Sequence, residues 1–110
     1  MTDQVAAIVE PFVRRGLFSS PERAVVEMAR EYMLHQIEQH QATIRTLENK
    51  YGMTYEQFSS YLQMRAAALE KAADARVSQS FMTEEEDALD WKMAREMLQS
   101  WLGLQAAVTG

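Results

Sequence analysis

Apolar side chains recur every three or four positions along most of the chain, which is the spacing of one face of an α-helix. The first set begins at Val5 and predicts a short helix over residues 3–15. Ser20 is expected to cap a second, long helix that opens with Pro21, and no Gly or Pro breaks this helix before Gly52. Its second half has alternating spacings of four and three residues, the seam pattern of a coiled coil, at Met33, Ile37, His40, Ile44, Leu47 and Tyr51.

A third helix is predicted to begin after Thr54, because Thr54 and Gln57 form a capping-box pair. Phe58 and Leu62 mark the apolar side of this helix. Only a short turn around Gly52 separates it from the second helix. We therefore expect the second and third helices to lie antiparallel as a helical hairpin.

A fourth helix is predicted near the C-terminus, because Thr83 and Glu86 repeat the capping-box pattern. Trp91, Leu98 and Trp101 fall on one face of this helix, which makes it amphipathic. The expected organisation is a helical dimerisation and hairpin region at 1–76, a linker at 77–83, the C-terminal amphipathic helix at 84–103 and a tail at 104–110.

No segment alternates apolar and polar residues for long enough to predict a strand. The predicted fold class is therefore all-α, with a short helix, a long helix, an antiparallel helical hairpin and a C-terminal amphipathic helix. A long helix is marginal in water without tertiary burial, so we expect the chain to be dimeric. His40 is a polar residue in the apolar seam, where it can fix the register of packing.

The joint between the first two helices combines a helix stop and a helix start. Gly16 can close the first helix in the left-handed conformation, after which Ser20 caps the second. The joint reads Val13-Arg14-Arg15-Gly16-Leu17-Phe18-Ser19-Ser20-Pro21 and is followed by Ala24-Val25-Val26 and Ala29-Arg30-Glu31-Tyr32. This stretch is similar to the two helices of ribbon-helix-helix antitoxins and repressors.

The resemblance implies an antitoxin-like helical dimer. The first helix and the start of the second are then the dimerisation unit. The dimerisation residues expected on this basis are Val9, Phe12, Val13, Leu17, Phe18, Val25, Met28 and Tyr32.

Members of that family read DNA with an N-terminal strand that pairs across the dimer. Only Met1, Thr2 and Asp3 precede the first amphipathic stretch here, and no basic alternating strand is present, so we do not expect nucleic acid as a partner. Arg14 and Arg15 are the candidate phosphate contacts in the basic patch at the joint, and surface ion pairs with neighbouring glutamates are the alternative.

Composition narrows the chemistry that the chain can perform. The sequence has no Cys, which excludes disulfides, thiolate metal sites and a thiol nucleophile. Its 4 Gly are scattered, so no phosphate-binding loop can be built, and no Glu-x-x-His pair of a di-metal bundle is present. We expect no enzyme activity, no cofactor and no metal site. No apolar run approaches the ~20 residues that span a bilayer and no signal-peptide pattern opens the chain, so we expect a cytoplasmic protein without membrane association.

The net charge of −5 is concentrated in the second half of the chain. Residues 1–53 carry 7 acidic and 6 basic side chains, whereas residues 54–110 carry 9 acidic and 5 basic. An acidic run at the start of the fourth helix compensates the helix dipole, favours a basic protein partner, or does both. The tryptophans beside it either anchor such a partner or pack in the protein's own core. The predicted partner-binding residues are Glu84, Glu85, Glu86, Asp87, Asp90, Trp91, Leu98 and Trp101.

These features predict a noncatalytic interaction protein. The resemblance implies an antitoxin that covers the active surface of a cognate protein toxin, such as a basic ribonuclease. The expected partners are this toxin and further copies of the chain, in a homodimer or a higher homo-oligomer. A self-associating coiled-coil adaptor or structural protein is the alternative, and a DNA-binding regulator is a third. The first two hypotheses differ in whether the fourth helix is protected without a partner.

Overall fold

The computed structural model describes residues 2–70 and 75–109, with side chains described through position 70 and from 79 to 108. These residues form four helices and no strand: α1 Asp3–Arg14, α2 Pro21–Tyr51, α3 Tyr55–Leu69 and α4 Ala75–Thr109. The all-α prediction is confirmed. Met1 and residues 71–74 of the predicted 1–76 region, and Gly110 of the predicted tail, lie outside the described residues.

The joint between α1 and α2 forms as its sequence predicts. Gly16 adopts the left-handed conformation with φ of +78°, and its backbone N–H donates to the carbonyl of Val13 (2.9 Å). The Ser20 hydroxyl accepts a hydrogen bond from the backbone N–H of Arg23 (3.1 Å). The joint turns α1 back so that it packs on the first part of α2.

The boundary between α2 and α3 is also confirmed. Gly52 ends α2 with φ of +62°, and its N–H donates to the carbonyl of Glu48 (2.7 Å). At the start of α3 the backbone N–H of Gln57 donates to the Thr54 hydroxyl (3.2 Å), and the Gln57 side chain accepts from the Thr54 N–H (2.9 Å). This reciprocal pair is the predicted capping box.

The long helix α2 lies antiparallel to α4. Lys50 near the end of α2 donates to Asp87 in the first half of α4 (2.6 Å between Nζ and Oδ2). Tyr32 near the start of α2 packs edge-on against Trp101 near the end of α4, with 5.7 Å between ring centroids. The two helices therefore run in opposite directions along each other.

The shorter helix α3 is antiparallel to α4 as well. Glu56 at its start pairs with Arg95, and Tyr61 further along donates to Glu84 (3.2 Å). Both α2 and α3 therefore run in the same direction along α4. At Gly52 the chain passes from α2 to α3 without reversing its direction. The helical hairpin thus has α2 followed by α3 as one arm and α4 as the other, whereas the sequence predicted α2 and α3 as its two arms.

The length of α4 explains this arrangement. It has 35 residues, or about 52 Å, which is enough to cover both α2 and α3. The linker predicted at 77–83 is part of this helix, as are residues 104–109 of the predicted tail. Thr83 does not cap a helix start, because its hydroxyl donates to the Gln79 carbonyl within the helix (3.3 Å). Between Gly52 and Gly103 the sequence has no Gly or Pro that would stop α4 from extending to Ala75.

The molecule is elongated. Its extents are 67 × 27 × 23 Å and its radius of gyration is 21.6 Å, whereas a compact chain of this length has a radius of gyration of about 13 Å. The core lies where α2, α3 and α4 meet, around Leu47, Phe58 and Trp91. A protein only two or three helices thick leaves an outer side on every helix exposed to solvent.

Candidate functional site

Trp91 belongs to the protein's own core. Its side chain is 1% exposed and packs with Leu47 of α2 and Phe58 of α3. The Phe58 ring stacks on the indole at 5.6 Å between centroids, and Tyr55 meets the indole edge at 5.8 Å. A partner could reach Trp91 only if α4 left the other helices, so the predicted role of Trp91 as an exposed anchor does not fit the folded chain.

Leu98 and Trp101 continue the same inward face of α4 and are half-buried. The Trp101 ring contacts Tyr32 of α2. Its Nε1–H is buried and donates to no group in the described part of the chain. The two tryptophans do lie on one side of α4, as predicted, but this side covers α2 and α3.

The acidic run over residues 84–90 divides into an inward group and an outward group. Glu84 Oε2 lies 3.1 Å from Arg65 Nε, which is ion-pair distance without the geometry of a hydrogen bond. Asp87 is held by Lys50 of α2. These two carboxylates therefore neutralise cations within the chain, while the outward group stays exposed: Glu85, Glu86 and Asp90.

Asp87 links α4 to the end of α2 through a second hydrogen bond, donated by the Tyr51 hydroxyl. Burial alone would raise the pKa of the Asp87 carboxyl, but the hydrogen bonds from Lys50 and Tyr51 outweigh burial and lower this pKa. Burial and the neighbouring Asp87 carboxylate raise the pKa of the Tyr51 phenol far above its usual range. At neutral pH the pair is therefore an ionised carboxylate and a neutral phenol, which suits a structural contact.

The predicted dimerisation residues also separate by exposure. Val9 is buried on the side of α1 that packs on α2, so it serves the fold of a single chain. Ile8, which was not predicted, is 62% exposed on the same helix. Of the other predicted residues, Val13, Phe18 and Met28 are partly buried, whereas Phe12, Leu17, Val25 and Tyr32 are exposed.

The arginines at the helix joint are engaged in local contacts. Arg14 pairs with Glu10 one turn earlier (3.3 Å), and Arg23 pairs with Glu27 (2.7 Å). Arg15 is exposed and forms the C-cap of α1. Exposed pairs of this kind contribute little stability, but they offset part of the positive charge that a phosphate would meet.

A second apolar face runs along the outside of α4, opposite Trp91. Its six large side chains are between 43% and 61% exposed. They are spaced by 7, 4, 4, 7 and 4 residues, which places them within about 100° of the helix circumference. We refer to this set as the outer stripe of α4: Met82, Leu89, Met93, Met97, Leu104 and Val108.

The outer stripe was not predicted, although its spacing is present in the sequence. Its members alternate with those of the inward face, so α4 is apolar on two opposite sides. When hydrophobicity is summed around a helix, two opposite apolar sides offset each other, so the helix does not register as strongly amphipathic. The spacing of the two tryptophans identifies only the inward side.

An open groove of about 770 Å³ lies between α2, the start of α3 and α4. Its apolar wall includes Ile44 and Leu98. At its rim, Arg95 Nη2 lies 2.8 Å from Glu56 Oε1 and the guanidinium sits 4.4 Å from the centre of the Tyr55 ring. A backbone hydrogen bond at the start of α3 and the Arg95 charge lower the pKa of the Glu56 carboxyl. This pair links α3 to α4 at the surface and, being exposed, contributes little stability.

Comparison with protein-family models, with curated proteins and with solved structures gives no match. Within the described ranges, no three His, Asp or Glu side chains gather to form a metal site. None of the helices in that part of the chain has both the length and the apolar character needed to cross a membrane. The surfaces described above, apolar on the outside of α4 and at the α1 end, suit contact with another macromolecule.

Proposed function

We propose that the chain is a noncatalytic, cytoplasmic interaction protein that acts as a self-associating helical scaffold. The observation that supports the proposal most strongly is the large solvent-accessible area of a single chain. A scaffold of this kind holds copies of itself together and presents their outer charged positions to other proteins.

The solvent-accessible area of the chain is larger than that of a compact monomer of the same mass. The 12.6 kDa chain exposes 8042 Å², whereas a compact monomer of that mass exposes about 6200 Å². The excess of roughly 1800 Å² per chain is more than the ~800 Å² per partner of a standard protein interface. Burying most of this excess in a dimer gives an interface of the size found in permanent homodimers.

The packing of α4 on α2 and α3 favours self-association over a mechanism in which a loose C-terminal segment neutralises a toxin. An occluding segment is expected to fold onto its target, yet α4 packs on α2 and α3 with Trp91 already buried. Phe58, at 0% exposed, is covered in the same cluster. The fourth helix is therefore protected without a partner, which is the feature that favours the scaffold hypothesis.

Molar mass in solution tests this proposal. Sedimentation equilibrium of the full chain over a wide range of concentrations is expected to give a dimer or a higher oligomer that dissociates only on strong dilution. A mass of one chain at every concentration would contradict self-association.

A second candidate function, that of an antitoxin, is favoured by the outward acidic group. Glu85, Glu86 and Asp90 remain exposed on α4 with no ion pair inside the described part of the chain. Such a cluster attracts a basic protein and speeds encounter with it. In this hypothesis the acidic surface, and not the tryptophans, contacts the toxin.

Affinity purification from the native cells separates this second candidate from the first. An antitoxin is expected to retain a small basic protein in fixed stoichiometry, and Glu85→Lys with Glu86→Lys should release it. Glu38→Lys, an exposed change on α2, is the matched control and should retain it. Recovery of the chain alone would count against the antitoxin hypothesis.

A further inference from the structure

The outer stripe of α4 is an apolar surface that no other part of the described chain covers, interrupted only by Glu86 and Ser100. From Met82 to Val108 it covers 26 helical steps, or about 39 Å. A row of large, exposed apolar side chains along one helix is unusual in a monomer, which rarely exposes an apolar patch of more than a few hundred Å². The stripe therefore needs a covering surface of similar length.

A second copy of the chain supplies such a surface. The excess area of a single chain matches what a homodimer buries, and α4 of another copy has the same length and the same stripe. On α1 itself the exposed apolar side chains from Val5 to Phe12 extend over only seven helical steps, or about 10 Å. The other exposed apolar residues near that end, such as Leu17 and Val25, lie in the joint and on α2 and do not continue this row. The methionines of the stripe are flexible and polarisable, which suits a helix–helix interface.

We propose that two copies pack through the outer stripes of their α4 helices, antiparallel, with the twofold axis passing beside Met93. The assignment rests on the self-association proposed above and specifies its surface, direction and register. A twofold interface is isologous, so the same stripe must complement itself.

Five of the six stripe residues lie opposite a stripe residue in this register. With Met93 opposite the partner's Met93, Leu89 lies opposite the partner's Met97, because the two positions are four residues either side of the axis. Met82 lies opposite the partner's Leu104 in the same way. Glu86, which lies among the stripe residues by helical angle, then faces the partner's Ser100, a small polar side chain, instead of an apolar one.

Charge distinguishes the antiparallel arrangement from the parallel one. Parallel packing would place the exposed acidic groups at Glu85, Glu86 and Asp90 beside the same groups of the partner. Antiparallel packing moves the copies of Glu85 and of Glu86 more than about 20 Å apart along the axis and those of Asp90 about 9 Å apart. It also brings Lys92 to the same edge as the partner's Glu96, within about 3 Å along the axis. Neither residue forms an ion pair within the described part of the chain. Two such pairs form in each dimer by symmetry.

The chain has no cysteine, so single-cysteine variants can map this interface without background. The variants Met93→Cys, Leu89→Cys and Met97→Cys change exposed positions and are expected to fold. Each is treated with a short bismaleimide cross-linker, alone and in mixtures, and covalent dimers are counted on a denaturing gel. Met64→Cys, at an exposed position on α3 outside the stripe, is the matched control.

The expected result is efficient cross-linking of Met93→Cys to itself and of Leu89→Cys to Met97→Cys in a mixture. Leu89→Cys alone should cross-link poorly, because its two copies lie about 12 Å apart along the axis. Met64→Cys should give no covalent dimer above the level of random collision.

Three outcomes would overturn the proposal in different ways. A chain that sediments as a dimer while Leu89→Cys and Met97→Cys each cross-link to themselves would show parallel packing. A dimer in which none of the stripe variants cross-links, but Leu17→Cys does, would place the interface at the α1 end and leave the scaffold function standing. A monomer whose Met93 is protected only in a cell extract would show that another protein covers the stripe, and the scaffold function would fail with it.

Discussion

The two faces of α4 both carry apolar side chains but differ in burial. The inward face buries Trp91 and Ala94 against α2 and α3, while the outward face leaves Met93 and Met97 in solvent. Both faces have helical periodicity, so the periodicity does not identify the surface that packs on each face. Hydrophobic spacing predicts that an interface exists, and only tertiary packing decides whether the same chain or another one provides its other half.

The side chains on the two faces differ in a way that fits the burial of one face and the exposure of the other. The inward face is built around aromatic rings with fixed neighbours, such as the stacked Trp91 and Phe58. The outward face has methionine at three of its six positions, and methionine adapts to an approaching surface at little cost. Four substitutions test this contrast, from the largest expected effect to the smallest.

Replacing Trp91 tests whether the inward face holds the single chain together. We expect Trp91→Ala to lower the free energy of unfolding by about 3–5 kcal/mol, because it empties the centre of the core. Met93→Ala on the outward face should change the free energy of unfolding of a monomer by less than about 0.5 kcal/mol. Urea denaturation at a dilution where the chain is monomeric measures both, and equal losses would remove the distinction between the faces.

Placing a charge at Met93 tests whether the outward face holds two chains together. Met93→Glu sets two carboxylates opposite each other at the twofold axis, so we expect the dimer to weaken by about 3 kcal/mol, or about 100-fold in dissociation constant. The helix content by circular dichroism should not change. The control Met64→Glu should leave the dissociation constant unaltered, and a Met93→Glu dimer as tight as the original would contradict the assigned face.

A polar contact of the inward face supplies a pH-dependent test. Asp87→Asn removes the charge that pairs with Lys50 and accepts from Tyr51, and we expect a loss of about 1–2 kcal/mol in the free energy of unfolding at pH 7. The folded chain lowers the pKa of Asp87, so this stabilisation is fully present above the unfolded-state pKa of about 3.9 and is lost as the pH falls through the folded-state value. Denaturation curves at pH 7, 4 and 3 should therefore converge for the two proteins. A difference that stays constant over this range would contradict the contact.

The smallest effect is expected from the edge charges of the outward face. Lys92→Glu should weaken the dimer about threefold, because an exposed ion pair contributes less than about 1 kcal/mol. Adding Glu96→Lys to the same chain should restore the affinity, since the reversed charges pair again across the axis. Sedimentation equilibrium in low salt measures both variants, and an additive loss in the double variant would exclude this cross-chain pair.

Local features of the fold could be predicted from the sequence because they depend on neighbouring residues. The left-handed Gly16 and Gly52, the Ser20 cap and the Thr54–Gln57 capping box all form as expected. Each is fixed by one or two residues and the backbone beside them.

Features that depend on competition between distant segments were not predicted. The capping pattern at Thr83 was overridden, because residues before it continue α4 and gain the packing of a longer helix against α3. The arms of the hairpin were misassigned for the same reason, since a turn at Gly52 is compatible with a reversal or with a change of helix. The burial of Trp91 and the exposure of Met93 follow from that choice of partner helix.

Oxidation of methionine in the unmodified protein tests the central claim most directly. In one chain Met64 and Met93 are both exposed, at 74% and 54%, while Met33 is 4% exposed and serves as the buried standard. Dilute hydrogen peroxide followed by peptide mass mapping gives the rate of sulfoxide formation at each position. We expect Met93 to be protected relative to Met64 at high protein concentration and to lose this protection on dilution. Equal rates for Met93 and Met64 at every concentration would show that the outer stripe remains open to solvent and would contradict the account.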